Sequence, residues 1–422
     1  MSKKTHVVPR APLKLLALAA SLAALPAAAQ ERPWYIGVGQ SFTHEDNVFR
    51  SSGSKVDDTI SSTSVLGGLN WTPGRQRIYL DATAAKNRYS DHDHLNNTSH
   101  SVTTGLNWQT VEHLSGSLRY SRRQNLVDYG RVIPIFGAPV DLGIQDKNIE
   151  TTQVASASAR WGFTSALGVQ GSVEKRKLDL SLADHRDATY DMASLGVRWG
   201  GGGALSFGVA GRVTKGETPR FRPLLPSVLL PDGIPRLSDV VEPDESDRRD
   251  IDFTVTWVPS GLSTISGRIS LTKEDHTAPS RPDFDGVTGA VTWDYQPTGK
   301  TSVRSSLIRD TGSETSFLAL TQFGLTGLQS DNNTTNWIAQ VAADWEATGK
   351  ILVNGNFRYV RGTADTVTGG GFSRDTTRFG LGARYLLTRT VTLGCSASHE
   401  QASSSGFSAN VVGCFGQFVL SP

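Results

Sequence analysis

The sequence predicts an all-β protein, a transmembrane antiparallel up-and-down β-barrel of about 18 strands. Three observations carry this expectation: an export leader, an aromatic residue recurring at one end of every second alternating run, and a strict alternation of short and long connections.

The leader is "MSKKTHVVPRAPLKLLALAASLAALPAAAQ". Lys3, Lys4, Arg10 and Lys14 precede the apolar run Leu15 to Leu25, and Ala27 and Ala29 form an A-x-A cleavage pattern. The run of about 11 residues is well short of the roughly 20 that a spanning helix needs. Residues 1–29 are therefore expected to be a cleaved signal peptide and residues 30–422 a single barrel domain. The chain is 37% hydrophobic, with 43 glycines and a formal net charge of +2. Such values suit a soluble protein, and equally a membrane barrel, where only alternate residues face lipid. The near balance of charge gives no global bias toward a charged partner, and no nucleic-acid partner is expected.

The pieces "LNWTPGRQRIYLDA", "LNWQTVEHLSGSLRYS", "ARWGFTSALGVQGSV", "VRWGGGGALSFGVAG", "VTWVPSGLSTISGRIS", "VTWDYQPTGKTSVRSSL", "ADWEATGKILVNGNF" and "ARYLLTRTVTLGCSAS" share one plan. Each is an alternating run ending in an aromatic, a tight Gly, Pro or polar turn, and a second alternating run, which is the hairpin signal. The aromatics are Trp71, Trp108, Trp161, Trp199, Trp257, Trp293, Trp345 and Tyr385. Aromatic rings prefer the water–lipid interface, so these residues are expected to form the girdle at one membrane surface.

Between the hairpins lie longer polar connections: Glu45 to Thr59, Ser90 to Asn96, Asn125 to Asn148, Asp179 to Arg186, Lys215 to Glu245, Asp275 to Asp283, Thr311 to Gln329 and Gly362 to Ser373. A first strand at Trp34 to Thr43 and a last at Ala409 to Val419 complete an even number, with both chain ends on the short-turn side. Short periplasmic turns and long extracellular loops are the topology of an outer-membrane barrel. The expected location is the cell outer membrane of a Gram-negative bacterium, with outer-membrane lipid as a partner.

Parity fixes the faces, because side chains alternate along a strand. Residues sharing parity with the tryptophans, such as Val65, Leu69, Phe253, Val255 and Val341, are apolar and should meet lipid. The opposite parity carries Arg119, Arg160, Arg176, Arg198, Arg212, Arg268, Arg304, Arg358, Arg378 and Arg384, with the acids Asp81, Glu174, Asp250, Asp252, Asp294 and Asp344. These arginines either pair with the inward acids and hold a polar interior together, or line an aqueous lumen that favours anions. Some can serve both purposes.

Cys395 and Cys414 both fall on the lipid-facing parity, opposite one another if Gln401 to Ser408 is a hairpin connection. A disulfide in the closing strand pair is expected.

Other constellations point less strongly to chemistry. "DHDH", Asp91 to His94, has metal-ligand residue types but reads as a solvated loop tip. His44 and Asp46 resemble a base and its orienting acid, yet no activated nucleophile, zinc-protease pattern, phosphate loop or dinucleotide fingerprint accompanies them. No metal, cofactor or enzymatic activity is expected. The segments "PLLPSVLLP" and "RVIPIFGAPVDLGIQ" are too apolar for free loops and should fold into the mouth as a lid or plug, or meet a partner.

"WYIGVGQSFTHEDNVFR", followed by "IYLDATAAKNRYSDHDHLNNTSHSVTTGLNWQTVEHLSGSLRYSRRQ", resembles the EpsL-type outer-membrane proteins of exopolysaccharide biosynthesis and export. The resemblance is clearest in the N-terminal third and brings no catalytic residues. It implies a barrel that helps a secreted polysaccharide leave the cell, with exopolysaccharide and periplasmic polysaccharide-export proteins as partners. Many outer-membrane proteins end in an aromatic residue, whereas this chain ends "GQFVLSP" with Phe418 set back. The leading expectation is a channel guiding an anionic or polar polysaccharide through an arginine-rich lumen. A general anion-preferring porin, a barrel enzyme and a structural or adhesive barrel are the alternatives.

Overall fold

The computed structural model describes residues 33–127, 133–135, 138–140, 146–162, 167–200, 203–222, 224–225, 236–237, 239–311, 335–365, 371–403 and 406–422. The expected leader lies outside the described residues.

The chain opens with β1 (Trp34–Glu45), β2 (Asp58–Trp71), β3 (Arg77–Tyr89), β4 (Asn97–Gln109) and β5 (Leu114–Leu126). A small ladder of β6 (Ile133–Ile135) and β7 (Ala138–Val140) stands apart from the main sheet. The sheet resumes with β8 (Ile149–Trp161), β9 (Leu167–Leu180), β10 (Ala188–Trp199) and β11 (Leu205–Thr218). A second small ladder, β12 (Leu224–Leu225) with β13 (Arg236–Leu237), precedes β14 (Asp244–Ser260), β15 (Ser263–His276), β16 (Phe284–Thr298) and β17 (Thr301–Asp310). The chain finishes with β18 (Thr335–Thr348), β19 (Ile351–Asp365), β20 (Gly371–Leu386), β21 (Val391–Ala402) and β22 (Ser408–Leu420).

Apart from the two small ladders, the strands form one 18-stranded sheet in which each pairs antiparallel with the next. The last strand returns to the first, from Ile36↔Leu420 to Glu45↔Val411, and closes the sheet into a barrel. Closure satisfies every strand edge, the condition a sheet must meet to sit in hydrocarbon. The turns at the aromatic end are tight. Gly74 (φ 65°) and Gly200 (φ 92°) occupy the left-handed region there, which glycine enters without steric cost.

The predicted parity holds around the ring. Large apolar side chains point outward and stay exposed, among them Leu195 at 67%, Leu381 at 62% and Ile36 at 58%, in a continuous belt that water would not tolerate. Trp71, Trp161, Trp199, Trp257, Trp293, Trp345 and Tyr385 are exposed on this same face, and Trp108 has the same parity. A closed 18-strand barrel with such an exterior is a transmembrane barrel of the Gram-negative outer membrane.

The belt has a charged upper border that the sequence reading did not single out. Trp71, Trp161, Trp199 and Trp257 lie opposite Ile78, Val169, Phe207 and Ile265. Lys86, Lys177, Lys215 and Lys273 follow these partners on the outward face by about eight residues, roughly 20 Å in height for strands tilted near 40°.

Several strands run farther than their polar sequences suggest. The connection expected over Lys215 to Glu245 begins only after Thr218 and ends at Asp244, and that expected over Gly362 to Ser373 shrinks to residues 366–370. The connection expected over Thr311 to Gln329 lies outside the described residues apart from Thr311. Beyond the belt the outer face meets water while the inner face carries buried polar and charged side chains, so hydropathy no longer alternates and the strand loses its sequence signal. The apolar loop segments fall mostly outside the described residues, and the lid or plug expectation with them.

Candidate functional site

The inward face divides into two walls. Toward the long-loop half of β11, β14, β15, β16 and β17 many inward side chains are buried and joined in an ionic network. Arg212 donates through Nε and Nη2 to both oxygens of Asp252, each at 3.0 Å, and its Nη2 lies 3.3 Å from Asp250. Arg248 lies 3.0 Å from Asp250, 3.6 Å from Glu274 and 3.4 Å from Asp310. Arg268 approaches Asp252 at 3.6 Å. The hydroxyls of Ser270 and Thr272 donate to Asp252 and Asp250, and that of Thr311 donates to Glu274. Arg212 and Arg248 are fully buried, which is tolerable only because each is matched by carboxylates and hydroxyls. Arg212 and Arg268, for which the sequence left both pairing with inward acids and lining the lumen open, are paired in this network.

Arg248, Glu274 and Asp310 were not among the sequence candidates. Parity would have found them: "RRDID" sets Arg248, Asp250 and Asp252 on one face, two residues apart. An apolar seam of Ala290, Ile308 and Ile338, with Val360 packed against it, continues the same wall.

The other arginines lie differently. Arg160, Arg198 and Arg384 each precede a girdle aromatic, Trp161, Trp199 and Tyr385, and so sit at one level near the short-turn mouth. Arg160 donates to Gln170 at 3.3 Å, and Arg198 donates to Ser206 at 3.2 and 2.7 Å. These partners are neutral, and none of the three has a carboxylate partner among the described residues. Arg77 joins them, hydrogen-bonded to Asn70 at 2.8 Å. Around the ring of 18, β20 is the ninth strand on from β9, so Arg384 faces Arg160 and Arg198, which flank β9, across the lumen. The nearby inward acids are Asp81, which accepts a hydrogen bond from Tyr35 at 2.7 Å, and Asp344. Arg304 is engaged by Asp294.

Arg119, Arg176, Arg358 and Arg378 occupy intermediate levels. Arg119 lies in the same row as Ser156 and Glu174. Arg176 stacks 4.5 Å over the Tyr190 ring. Arg358 and Arg378 face each other across β19 and β20, with Glu400 next in the row.

At the long-loop rim "EDNVFR" forms a clamp on the closing seam. Glu45 pairs with Arg50, and Arg50 also reaches Glu400 at 3.4 Å and donates to the Asn47 carbonyl at 2.7 Å. Asp46 accepts from the Asn410 backbone and side-chain amides, and Asn47 donates to the Ser408 carbonyl, both on β22. Arg50 adopts φ 54°, a left-handed conformation unusual for a side-chain-bearing residue, which these contacts hold in place. His44 faces outward and contacts Thr59, apart from Asp46.

His92 of "DHDH" is likewise a structural partner. Its Nδ1 lies 2.8 Å from Asp58, which also accepts backbone N–H groups from Thr59, Ser90, Asp91 and His92. Burial pushes the Asp58 carboxyl pKa up, but these donors outweigh it and hold the value below the ordinary range. Asp244 repeats the device with His276, Ala278 and Arg281.

The expected disulfide is present between Cys395 and Cys414, directly opposed on β21 and β22.

No protein-family model and no curated protein matches the chain. Among solved structures it is similar to the outer membrane protein opdK from Pseudomonas aeruginosa, with 13% identity over 92% of this chain and 98% of that one, at a TM-score of 0.44. A BenF-like porin from Pseudomonas fluorescens Pf-5 gives 10% identity over 92% and 99%, at 0.45. The ferric-catecholate import receptor Fiu from E. coli K12 gives 11% over 93% and 82%, at 0.41. Similarities this low leave function to the geometry of the barrel itself.

Proposed function

We propose that the protein is an anion-preferring diffusion channel of the outer membrane, with its short turns in the periplasm and its long loops outside. The observation that carries this reading is the arginine cluster at the short-turn mouth. Arg77, Arg160, Arg198 and Arg384 surround the lumen with neutral hydrogen-bond partners or none among the described residues, whereas the arginines of the β11 to β17 wall are neutralised. Guanidinium groups facing water in a confined pore raise the local anion concentration and offer paired N–H donors to carboxylates and phosphates. The remaining inward arginines would continue the path, and the eight outward aromatics would anchor the periplasmic edge.

Current block by a polycarboxylate tests the reading. Citrate added from the short-turn side of a bilayer should interrupt single-channel current, with about a tenfold weaker block in R198Q/R384Q, the two losses together being about 1.4 kcal/mol. Equal block in both proteins would contradict it.

Export of an exopolysaccharide is the second reading, supported by the resemblance of "EDNVFR" and the strand pieces after it to EpsL-type proteins. Its partners would be the polymer and periplasmic export proteins. Deleting the gene and measuring surface polysaccharide tests it: an unchanged amount would leave the simple channel.

A further inference from the structure

The Cys395–Cys414 disulfide lies on the lipid-facing surface of the barrel. Both residues are exposed there, while their chain neighbours Gly394, Ser396, Gly413 and Phe415 take the inward parity. In the same outward row the pair is flanked by Ala383 on β20 and Phe42 on β1. Leu393, one outward step below Cys395, is the register partner of the girdle residue Tyr385, and Leu381 and Val412 stand one step above. The sulfurs therefore sit about 5 Å inside the girdle, within hydrocarbon, for strands tilted near 40°.

That position is closed to thiol chemistry once the barrel is inserted. Disulfide exchange needs a thiolate, and hydrocarbon holds a thiol in its neutral form. An oxidase working in water reaches neither sulfur, because the lumen is on the other side of the sheet and periplasmic water ends at the girdle. In the unassembled chain this obstacle is absent. The cysteines are 19 residues apart, and a hairpin of that size forms on the order of microseconds.

We infer that the disulfide is made on the periplasmic chain before β21 and β22 enter the membrane, by a thiol–disulfide oxidase of that compartment. One cysteine thiolate attacks the oxidase's disulfide and forms a mixed disulfide; the second thiolate then displaces the oxidase's sulfur. The chain loses two electrons and two protons, and the oxidase leaves as a dithiol. The bond fixes Cys395 opposite Cys414, and with it the register from Val391↔Phe418 to Gln401↔Ser408. A slip of one residue would turn Val412 and Phe418 from lipid to lumen, so the hairpin reaches the membrane with its faces already assigned. The inference rests on the outer-membrane barrel and not on the channel reading.

Pulse-labelled cells depleted of the outer-membrane barrel-insertion machinery test the order, with free thiols capped by a mass-tagging maleimide after an acid quench. The unassembled chain should carry no free thiol, and should carry both when the cells also lack the oxidase. A chain that stays reduced until it is inserted would overturn the inference, and a bond formed as fast without the oxidase would overturn that enzyme's part in it. A second measurement runs the steps in reverse. The reduced chain, folded into lipid vesicles and verified by heat-modifiable migration, is exposed to a purified periplasmic thiol–disulfide oxidase in its oxidised form. Oxidation should be at least about tenfold slower than for the same chain kept unfolded in urea. Equal rates would also overturn the inference, because the inserted sulfurs would then be open to water. The first measurement needs no folded barrel and stands whether or not the reduced chain inserts.

Discussion

Single side chains in this barrel fall into two electrostatic classes. Asp252 serves Arg212, Arg268 and Ser270 at once in a buried site, so removing it strands charge without water. Asp252→Ala should destabilise the barrel by about 3–5 kcal/mol. Asp344→Ala, at an exposed site, should cost less than about 1 kcal/mol. Urea unfolding in detergent, followed by tryptophan fluorescence, distinguishes the two. Asp58 predicts a pH effect at the rim. Its folded pKa is depressed, so its stabilising contribution is complete above the unfolded value of about 3.9 and is lost as pH falls through the folded value. Cleavage of the 90–96 connection by an acid-active protease should therefore rise below about pH 4 in wild type, and Asp58→Ala should abolish that pH dependence. These roles were only partly legible in the sequence. Parity assigned Arg212 and Asp252 to the inward face, but neither parity nor composition shows that residues 40 positions apart meet in one buried pair. Asp58 looked like an ordinary loop acid because its donors come from the next hairpin.

At the scale of elements, alternation and turn chemistry made the strands legible wherever one face meets lipid. The signal faded beyond the belt, where "DESDRRD" alternates in role but not in hydropathy, and strand ends were misplaced there. The closing seam was half legible. Two cysteines on one parity gave the disulfide, whereas "EDNVFR" carried only a family resemblance in the sequence, and its contacts with Ser408 and Asn410 place it across β1 and β22. The seam is thus held at the long-loop rim by the clamp, while the disulfide ties β22 to β21 nearer the short turns. Replacing both cysteines by serine should cost roughly 3 kcal/mol for a loop of this size, read from the urea midpoint. Asn47→Ala, removing donors and an acceptor at a buried site, should cost about 1–3 kcal/mol and increase trypsin cleavage at Lys55.

For the whole molecule, an almost neutral chain becomes an asymmetrically charged barrel because charge is sorted by strand. Acids concentrate on the β14 to β17 wall and bind the arginines there, leaving the mouth basic around Arg77, Arg160, Arg198 and Arg384. The sequence predicted an arginine-rich lumen as a whole; the division into a neutralised wall and a basic mouth required the side-chain contacts and the place of β20 across the ring from β9. The reversal potential of the purified barrel in a planar bilayer, under a KCl gradient, tests this account most directly. It predicts a potential displaced toward the chloride equilibrium value in wild type and moved at least halfway to zero in R160Q/R198Q/R384Q. A cation-selective pore, or a selectivity that the triple substitution leaves unchanged, would contradict it.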